Sequence, residues 1–152
     1  MRRSSLFAAV LLAFVIAGCG GGGGESPTSP GTSVCAANLE GNHLWAIRGG
    51  CSGGAVSLAN GVNKATFNSG TCVLTMDVTP TADRDRGGKW LLTADLRAGT
   101  GTVTRSGVEC PATDIGSVRV DANSIIADMH TPASSGCSCI LVYTLNVTRA
   151  IS

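Results

Sequence analysis

The stretch that decides the fold class is Lys89-Trp90-Leu91-Leu92-Thr93-Ala94-Asp95-Leu96-Arg97. Apolar residues recur at every second position (Trp90, Leu92, Ala94, Leu96), and most of the positions between them are polar (Lys89, Thr93, Asp95, Arg97). Side chains along a β-strand point alternately to opposite faces, so this pattern predicts a strand with one buried and one exposed face.

The same alternation continues on both sides of this strand. Further strands are predicted at 43–48, 55–59, 62–67, 71–79, 100–105, 115–120, 124–130 and 137–148. Asn60-Gly61 indicates a two-residue hairpin, because both central residues of a type I′ turn need positive φ. The sequence therefore predicts an all-β domain, an antiparallel meander of about nine strands that closes as a barrel or folds as a sandwich. It predicts no amphipathic helix.

The N-terminal residues are expected to form an export signal. Arg2 and Arg3 precede an uninterrupted apolar run from Leu6 to Ala17, which suits a signal peptide and is too short to span a bilayer. The run ends in Ile16-Ala17-Gly18-Cys19, which resembles the lipobox of bacterial lipoproteins. This resemblance implies that residues 1–18 are a cleaved signal peptide. It also implies that Cys19 carries a diacylglycerol, with a further acyl chain such as palmitate on its amino group.

Residues 19–34 are expected to be a tether between the lipidated cysteine and a domain at 35–152. Within them, the Gly-rich and Ser/Pro-rich stretch from Gly20 to Ser33 offers no apolar residue able to form a core, which predicts a flexible spacer. Lipoproteins retained in the inner membrane often have aspartate after the anchor cysteine, and this chain has Gly20. The resemblance thus implies an extracytoplasmic domain held in the cell envelope by its lipid, in the outer membrane where the organism has one.

Six cysteines fall in the domain: Cys35, Cys51, Cys72, Cys110, Cys137 and Cys139. An even number in an exported chain predicts disulfides, and we expect three intramolecular bridges. In a strand, Cys137 and Cys139 would have Cα atoms about 6.6 Å apart, whereas a bridge needs Cβ atoms about 4 Å apart, so each should bond elsewhere. If the first and last strands pair to close a barrel, Cys51 comes near this pair, and we favour a bridge from Cys51 to one of its members.

The domain is electrically neutral from Cys35 onward. Removing Arg2 and Arg3 from the 11 Lys and Arg leaves nine, and removing Glu25 from the 10 Asp and Glu also leaves nine. Such a balance gives no electrostatic footprint for nucleic acid, so no nucleic-acid partner is expected. If the barrel closes, the candidates for lining a ligand pocket are Trp45, Met76, Trp90 and Tyr143, although we favour plain core packing for them.

Two other functional interpretations stay open. Cys137-Ser138-Cys139 can form a soft-metal site with Met76 or Met129 and His43 or His130 as further ligands. An envelope enzyme is the other alternative, although no Gly-x-Ser-x-Gly motif is present and both histidines are expected at strand ends near solvent. We expect no cofactor. The favoured interpretation is a non-enzymatic β domain with a binding or structural role, whose protein or small-molecule partner is not specified.

A second resemblance concerns the start of the domain. Asn38-Leu39-Glu40-Gly41 followed by Trp45 resembles the Gly-x-Trp start of lipocalin-like barrels, with three residues rather than one between Gly41 and Trp45. This resemblance implies a barrel architecture, and no ligand or residue role is carried over from it.

Overall fold

The computed structural model describes residues 35, 39–51, 57–121 and 123–150, with the backbone alone at 57 and 58. The predicted signal peptide, lipidated cysteine and tether lie outside these residues. Among the helices in the described ranges, none has the length and apolar character that crossing a bilayer requires.

Eight antiparallel strands form a closed barrel, which confirms the all-β prediction and selects the barrel over the sandwich. The strands are β1 (Gly41–Cys51), β2 (Ser57–Asn68), β3 (Val73–Asp77), β4 (Lys89–Asp95), β5 (Thr100–Ser106), β6 (Ala112–Val120), β7 (Ser124–His130) and β8 (Leu141–Arg149). Each strand pairs with its sequence neighbours, and β8 pairs with β1. A short helix, α1 (Thr81–Arg84), lies between β3 and β4, and a 3-10 helix (Ala133–Ser135) lies between β7 and β8.

The predicted hairpin at Asn60-Gly61 was wrong, which is why the barrel has eight strands rather than nine. Strand β2 runs through both residues, which pair with Ala46 and Trp45 of β1. Gly61 is required by packing rather than by a turn. Its φ is not positive, and a Cβ at this position would lie 2.8 Å from the Trp45 indole ring.

Substituting Gly61 tests this explanation. Gly61→Ala should lower the free energy of unfolding by about 1–3 kcal/mol, the usual cost of overpacking a core. Asn60→Ala, at an exposed position of the same strand, should change it by no more than about 0.5 kcal/mol. Urea unfolding measures both variants. Similar losses from the two substitutions would contradict a continuous β2.

Inward-facing side chains fill most of the barrel. The predicted apolar faces of three strands are buried as expected, with Leu74 and Met76 on β3, Trp90, Leu92 and Ala94 on β4, and Tyr143, Leu145 and Val147 on β8. Val103, Val118, Ile125, Ala127 and Met129 complete the core from β5, β6 and β7. The mainly aliphatic composition of the domain therefore corresponds to a barrel packed by side chains over most of its length.

The two histidines differ in their surroundings. His130 is exposed at the end of β7, as predicted. His43 is 2% exposed, so its expected position near solvent was wrong. It occupies an inward-facing position two residues before Trp45, and its Nε2 lies 2.8 Å from the carbonyl oxygen of Leu39. The alternation of side chains along β1, and not the polarity of the imidazole, turns His43 toward the barrel interior.

Three disulfides cross-link the barrel, as predicted. They join Cys35 to Cys72, Cys51 to Cys139 and Cys110 to Cys137, with Cα–Cα distances of 5.2, 5.3 and 5.8 Å. The favoured bridge from Cys51 to one member of the 137/139 pair is present. The last strand begins at Leu141 rather than at the predicted Cys137. Cys137 and Cys139 lie in the irregular segment before it, and they bond to different partners.

Connections alternate between the two ends of the barrel. One end, here called the mouth, holds the end of β1, the start of β2, the α1 connection (78–88), the β5–β6 connection (107–111) and the β7–β8 connection (131–140). The opposite end, here called the base, holds the other turns and the C-terminal end of β8. Two bridges lie at the mouth. The third ties Cys35 to Cys72 at the base, so the N-terminal segment reaches the barrel there.

Candidate functional site

A cavity of about 530 Å³ lies at the mouth. Its lining comes from β1 (Ile47, Gly49, Gly50), β2 (Ala59, Asn60), the α1 connection (Pro80, Thr81, Ala82, Asp83), β4 (Trp90) and β8 (Leu141, Tyr143). It is more enclosed than three depressions on the outer surface of the barrel. Its volume falls within the range of about 300–1,000 Å³ that small-molecule sites occupy.

Gly49 lets β8 approach β1 closely at the cavity wall. Its φ is +153°, and a Cβ there would lie 2.6 Å from the Cα of Tyr143, with which it pairs. A side chain at this position would therefore push β8 away from β1. The absence of a side chain at Gly49 therefore allows the Tyr143 backbone to lie close to β1 at the cavity wall.

Trp90 is held at the cavity wall through the start of the α1 connection. The buried hydroxyl of Thr79 accepts the backbone N–H of Trp90 at 2.8 Å and donates to Asp77 Oδ1. Burial opposes ionisation of Asp77, but hydrogen bonds from Thr79 and the nearby Arg84 guanidinium outweigh it and lower the pKa of this carboxyl. Asp77 thus stays charged and links β3, α1 and β4 next to the cavity.

A buried polar cluster lies behind Trp90; it consists of Arg105, Asp114, Thr131 and Tyr143. Arg105 donates to both Asp114 oxygens, from Nε at 2.8 Å and from Nη2 at 3.0 Å. The hydroxyls of Thr131 and Tyr143 also donate to Asp114, at 2.6 and 2.9 Å. The Arg105 guanidinium carbon lies 5.2 Å from the centroid of the Trp90 ring.

The polar cluster balances its own charges. Burial and then the adjacent Asp114 carboxylate raise the pKa of Tyr143 well above its ordinary value, so the phenol stays protonated and donates. Arg105 also donates to the carbonyl oxygen of Cys110 at 3.0 Å. The cluster thus joins β5, β6, β8 and the two bridged connections of the mouth. Arg105 and Asp114 contact the other members of the cluster, the Cys110 carbonyl oxygen and the Trp90 ring, and these contacts describe a structural network.

One buried polar atom of a cavity-lining residue lacks a partner. Trp90 Nε1 is buried and has no hydrogen-bond acceptor among the described residues. Buried tryptophan N–H groups usually have one. The other indole of the chain follows the rule, because Trp45 Nε1 donates to Asn63 Oδ1 at 2.7 Å.

The four residues predicted as pocket candidates divide into two pairs. Trp90 and Tyr143 line the cavity, and their rings lie 6.2 Å apart. Trp45 and Met76 lie in the core and are not part of the lining. Sequence reasoning missed the polar cluster, because the strand predicted at 115–120 begins at Ala112 and so includes Asp114. With the strand extended, Arg105 and Asp114 are opposite charges at inward-facing positions, and that was the signal that could have found the pair.

Cys137 and Cys139 offer no thiolate in this structure, because each belongs to a disulfide. The soft-metal alternative therefore requires reduction of both bridges. Met76, Met129 and His43, three of its proposed further ligands, are buried in the barrel. Within the ranges that the structure describes, no group of three or more His, Cys, Asp or Glu side chains is placed to hold a metal ion.

The strand order and the cavity together define the class of this protein. Eight antiparallel strands paired in sequence order make an up-and-down β-barrel, with three disulfides and a cavity of ligand size at one end. Comparison with protein-family models, with curated proteins and with solved structures found no match.

Proposed function

We propose that this chain is the precursor of an envelope lipoprotein whose barrel domain binds a small molecule at the mouth and catalyses no reaction. The observation that carries the proposal is the cavity beside Trp90 and Tyr143, at the end of a barrel that is otherwise packed with side chains. Ligand sites are commonly enclosed, mainly apolar and found in the mouths of β-barrels.

The rigidity of the mouth supports a binding role. Gly50, in the lining, is adjacent to Cys51, and Leu141, also in the lining, follows two residues after Cys139. The bridge between these cysteines thus fastens the β1 and β8 walls of the cavity to each other. A wall fixed before the ligand arrives loses less conformational entropy on binding, which favours affinity.

The chemistry of the lining also supports binding without catalysis. Its polar side chains, among the residues described, are Asn60, Thr81 and Asp83 together with the two aromatic residues. The buried charges nearby are paired within the polar cluster. General acid–base catalysis needs a group free to exchange a proton with the substrate, and the paired Arg105 and Asp114 do not offer one. Asp83 is the one carboxylate of the described lining, and no Glu, His, Lys or Cys stands there with it to act as a second acid or base.

The lipobox-like sequence supports the proposed location. The tether would join the barrel at the base, since Cys35 is bonded to Cys72 there. The mouth lies at the opposite end of the barrel. A lipid on Cys19 would therefore be attached at the end of the barrel opposite the cavity, so the anchor would not block the mouth.

Lipidation is tested by Cys19→Ser. Without the thiol no thioether can form, and the acyl chains that supply the anchoring free energy are missing. The variant should therefore be absent from the membrane fraction of the producing bacterium. Ser26→Ala in the tether should leave fractionation unchanged. A Cys19→Ser protein that still partitions fully with membranes would contradict the anchor.

Ligand binding is tested with the neutral fluorescent probe N-phenyl-1-naphthylamine. The purified protein should bind it saturably at one site. Ala59→Phe places a ring in the cavity lining and should abolish this binding. Ala46→Phe adds the same ring to the outer face of the neighbouring strand, so its binding should match the unmodified protein. Loss of probe binding in both variants would contradict a site at the mouth. Failure of the unmodified protein to bind the probe would contradict it as well.

A further inference from the structure

We infer that the Cys51–Cys139 bridge is a site of thiol–disulfide exchange, at which a dithiol reductant loosens the wall of the mouth cavity and reoxidation fastens it again. The exposure of the bridges to solvent assigns the exchange site. Its effect on the cavity rests on the proposed function, because it concerns the ligand that the cavity would hold.

The three bridges differ in their exposure to solvent. Cys51 is exposed at the end of β1, and its partner Cys139 is half-buried. Both members of the other mouth bridge are half-buried. In the base bridge, Cys72 is 0% exposed and Cys35 packs against the core. Because a thiolate must reach a sulfur atom to attack it, the bridge that contains Cys51 is the one most open to exchange.

The exchange has two steps. A thiolate of the dithiol attacks the Sγ atom of Cys51, which forms a mixed disulfide and expels Cys139 as a thiolate. The second thiol of the reductant then attacks the reductant's own sulfur in the mixed disulfide and expels Cys51. The bridge gains two electrons and two protons, and the dithiol leaves as a cyclic disulfide. A disulfide reagent restores the bridge by the reverse reaction.

Opening this bridge loosens the part of β1 that lines the cavity. Among the described residues, the pairing of β1 with β2 ends at Gly49, whereas its pairing with β8 continues to Cys51 and Leu141. The end of β1 is thus held through β8 and through the bridge. Gly49 and Gly50 both line the cavity, and a glycine backbone changes conformation easily because no Cβ restricts it. Without the bridge, this wall is free to move.

The remaining walls do not depend on this bridge. Leu141 keeps two hydrogen bonds with Thr131, from its carbonyl oxygen at 2.9 Å and from its backbone N–H at 3.2 Å. The connections joined by Cys110 and Cys137 contribute no described residue to the lining. Reduction at Cys51 should therefore loosen one wall of the cavity. A ligand would then bind more weakly, because the loosened wall must be ordered again around it.

A short pulse of dithiothreitol on the folded, oxidised protein tests the exchange site. Free thiols are trapped with N-ethylmaleimide and located by mass spectrometry of peptides. Label should appear on Cys51 and Cys139 at least about tenfold faster than on Cys35 and Cys72, because access governs the rate of exchange. Label that appears equally early on either of the other two bridges would overturn the exchange site.

The effect on the cavity is measured with N-phenyl-1-naphthylamine during the same pulse, before the thiols are trapped. Opening the Cys51–Cys139 bridge should raise the dissociation constant of the probe about tenfold, because the loosened end of β1 loses conformational freedom when the probe binds. Oxidised glutathione should restore the affinity. The Cys110→Ala and Cys137→Ala double variant keeps the exchange site, so its affinity should respond to the pulse in the same way.

The outcomes separate the two proposals. If Cys51 and Cys139 are labelled first but the affinity for the probe does not change, the effect on the cavity is overturned and ligand binding stands. If the oxidised protein does not bind the probe, the proposed function fails together with the effect on the cavity. The order of labelling decides the exchange site in either case, because it is read without a ligand.

Discussion

Replacing Cys51 and Cys139 together with alanine is expected to lower the free energy of unfolding by about 4.6 kcal/mol. The bridge joins residues 88 positions apart, against 37 and 27 for the other two. Because a cross-link restricts the unfolded chain more when it closes a longer loop, this bridge should stabilise the barrel most. It also joins the first strand to the connection before the last, next to the line where the barrel closes.

Urea unfolding under non-reducing conditions measures this loss. The control is the Cys110→Ala and Cys137→Ala double variant, which removes the shortest loop and should lose about 3.5 kcal/mol on the same entropy argument. A larger loss from the control would show that native contacts near Cys110, rather than loop length, determine the contribution of each bridge. Retention of full stability after removal of Cys51 and Cys139 would contradict their role in barrel closure.

Asp114→Asn is expected to destabilise the barrel by about 3–5 kcal/mol. The substitution keeps the shape of the side chain and removes its charge, which leaves Arg105 buried at 5% exposure without a counter-charge. Thr131 and Tyr143 also lose the carboxylate to which they donate. Both effects place an unsatisfied polar or charged group inside the barrel, where water cannot replace the lost partner.

An exposed ion pair provides a matched control for this variant. Arg119 and Asp128 form a pair of similar length, 2.7 Å against 2.8 Å, on the outer surface of the same barrel. Asp128→Asn should cost no more than about 1 kcal/mol, because water screens the exposed pair and solvates the cation left behind. Equal losses in the two variants, measured by urea unfolding, would mean that burial does not govern the Arg105–Asp114 interaction.

The fold could be predicted as far as it depends on local pattern. Alternation at Lys89–Asp95 and Leu141–Arg149 identifies half-buried strands, because a side-chain period of two is a property of the strand itself. The need to leave no sheet edge unpaired favoured closure, although the sequence pattern left a barrel and a sandwich as alternatives. The bridge from Cys51 was predicted on the condition that the barrel closes, since pairing the first and last strands brings their mouth ends together.

The remaining features depend on residues far apart in the sequence. Asn60-Gly61 has the composition of a turn, and only the Trp45 ring opposite explains its glycine. His43 is polar, yet the phase set by Trp45 and Ile47 turns it inward. The cavity is lined by residues from four strands and the α1 connection, so its presence depends on how these elements are assembled. Neither this lining nor the pairing of Arg105 with Asp114 can be derived from one strand alone.

The pairing of β1 with β8 also constrains the order of assembly. During synthesis, β1 can gain β2 as a neighbour early, but its other edge stays unpaired until the final strand emerges. Cys35 can meet Cys72 well before Cys51 can meet Cys139. Such non-local contacts slow folding and expose sheet edges that favour aggregation in the meantime. A chain truncated before Leu141 should therefore give an open, self-associating sheet rather than a smaller barrel.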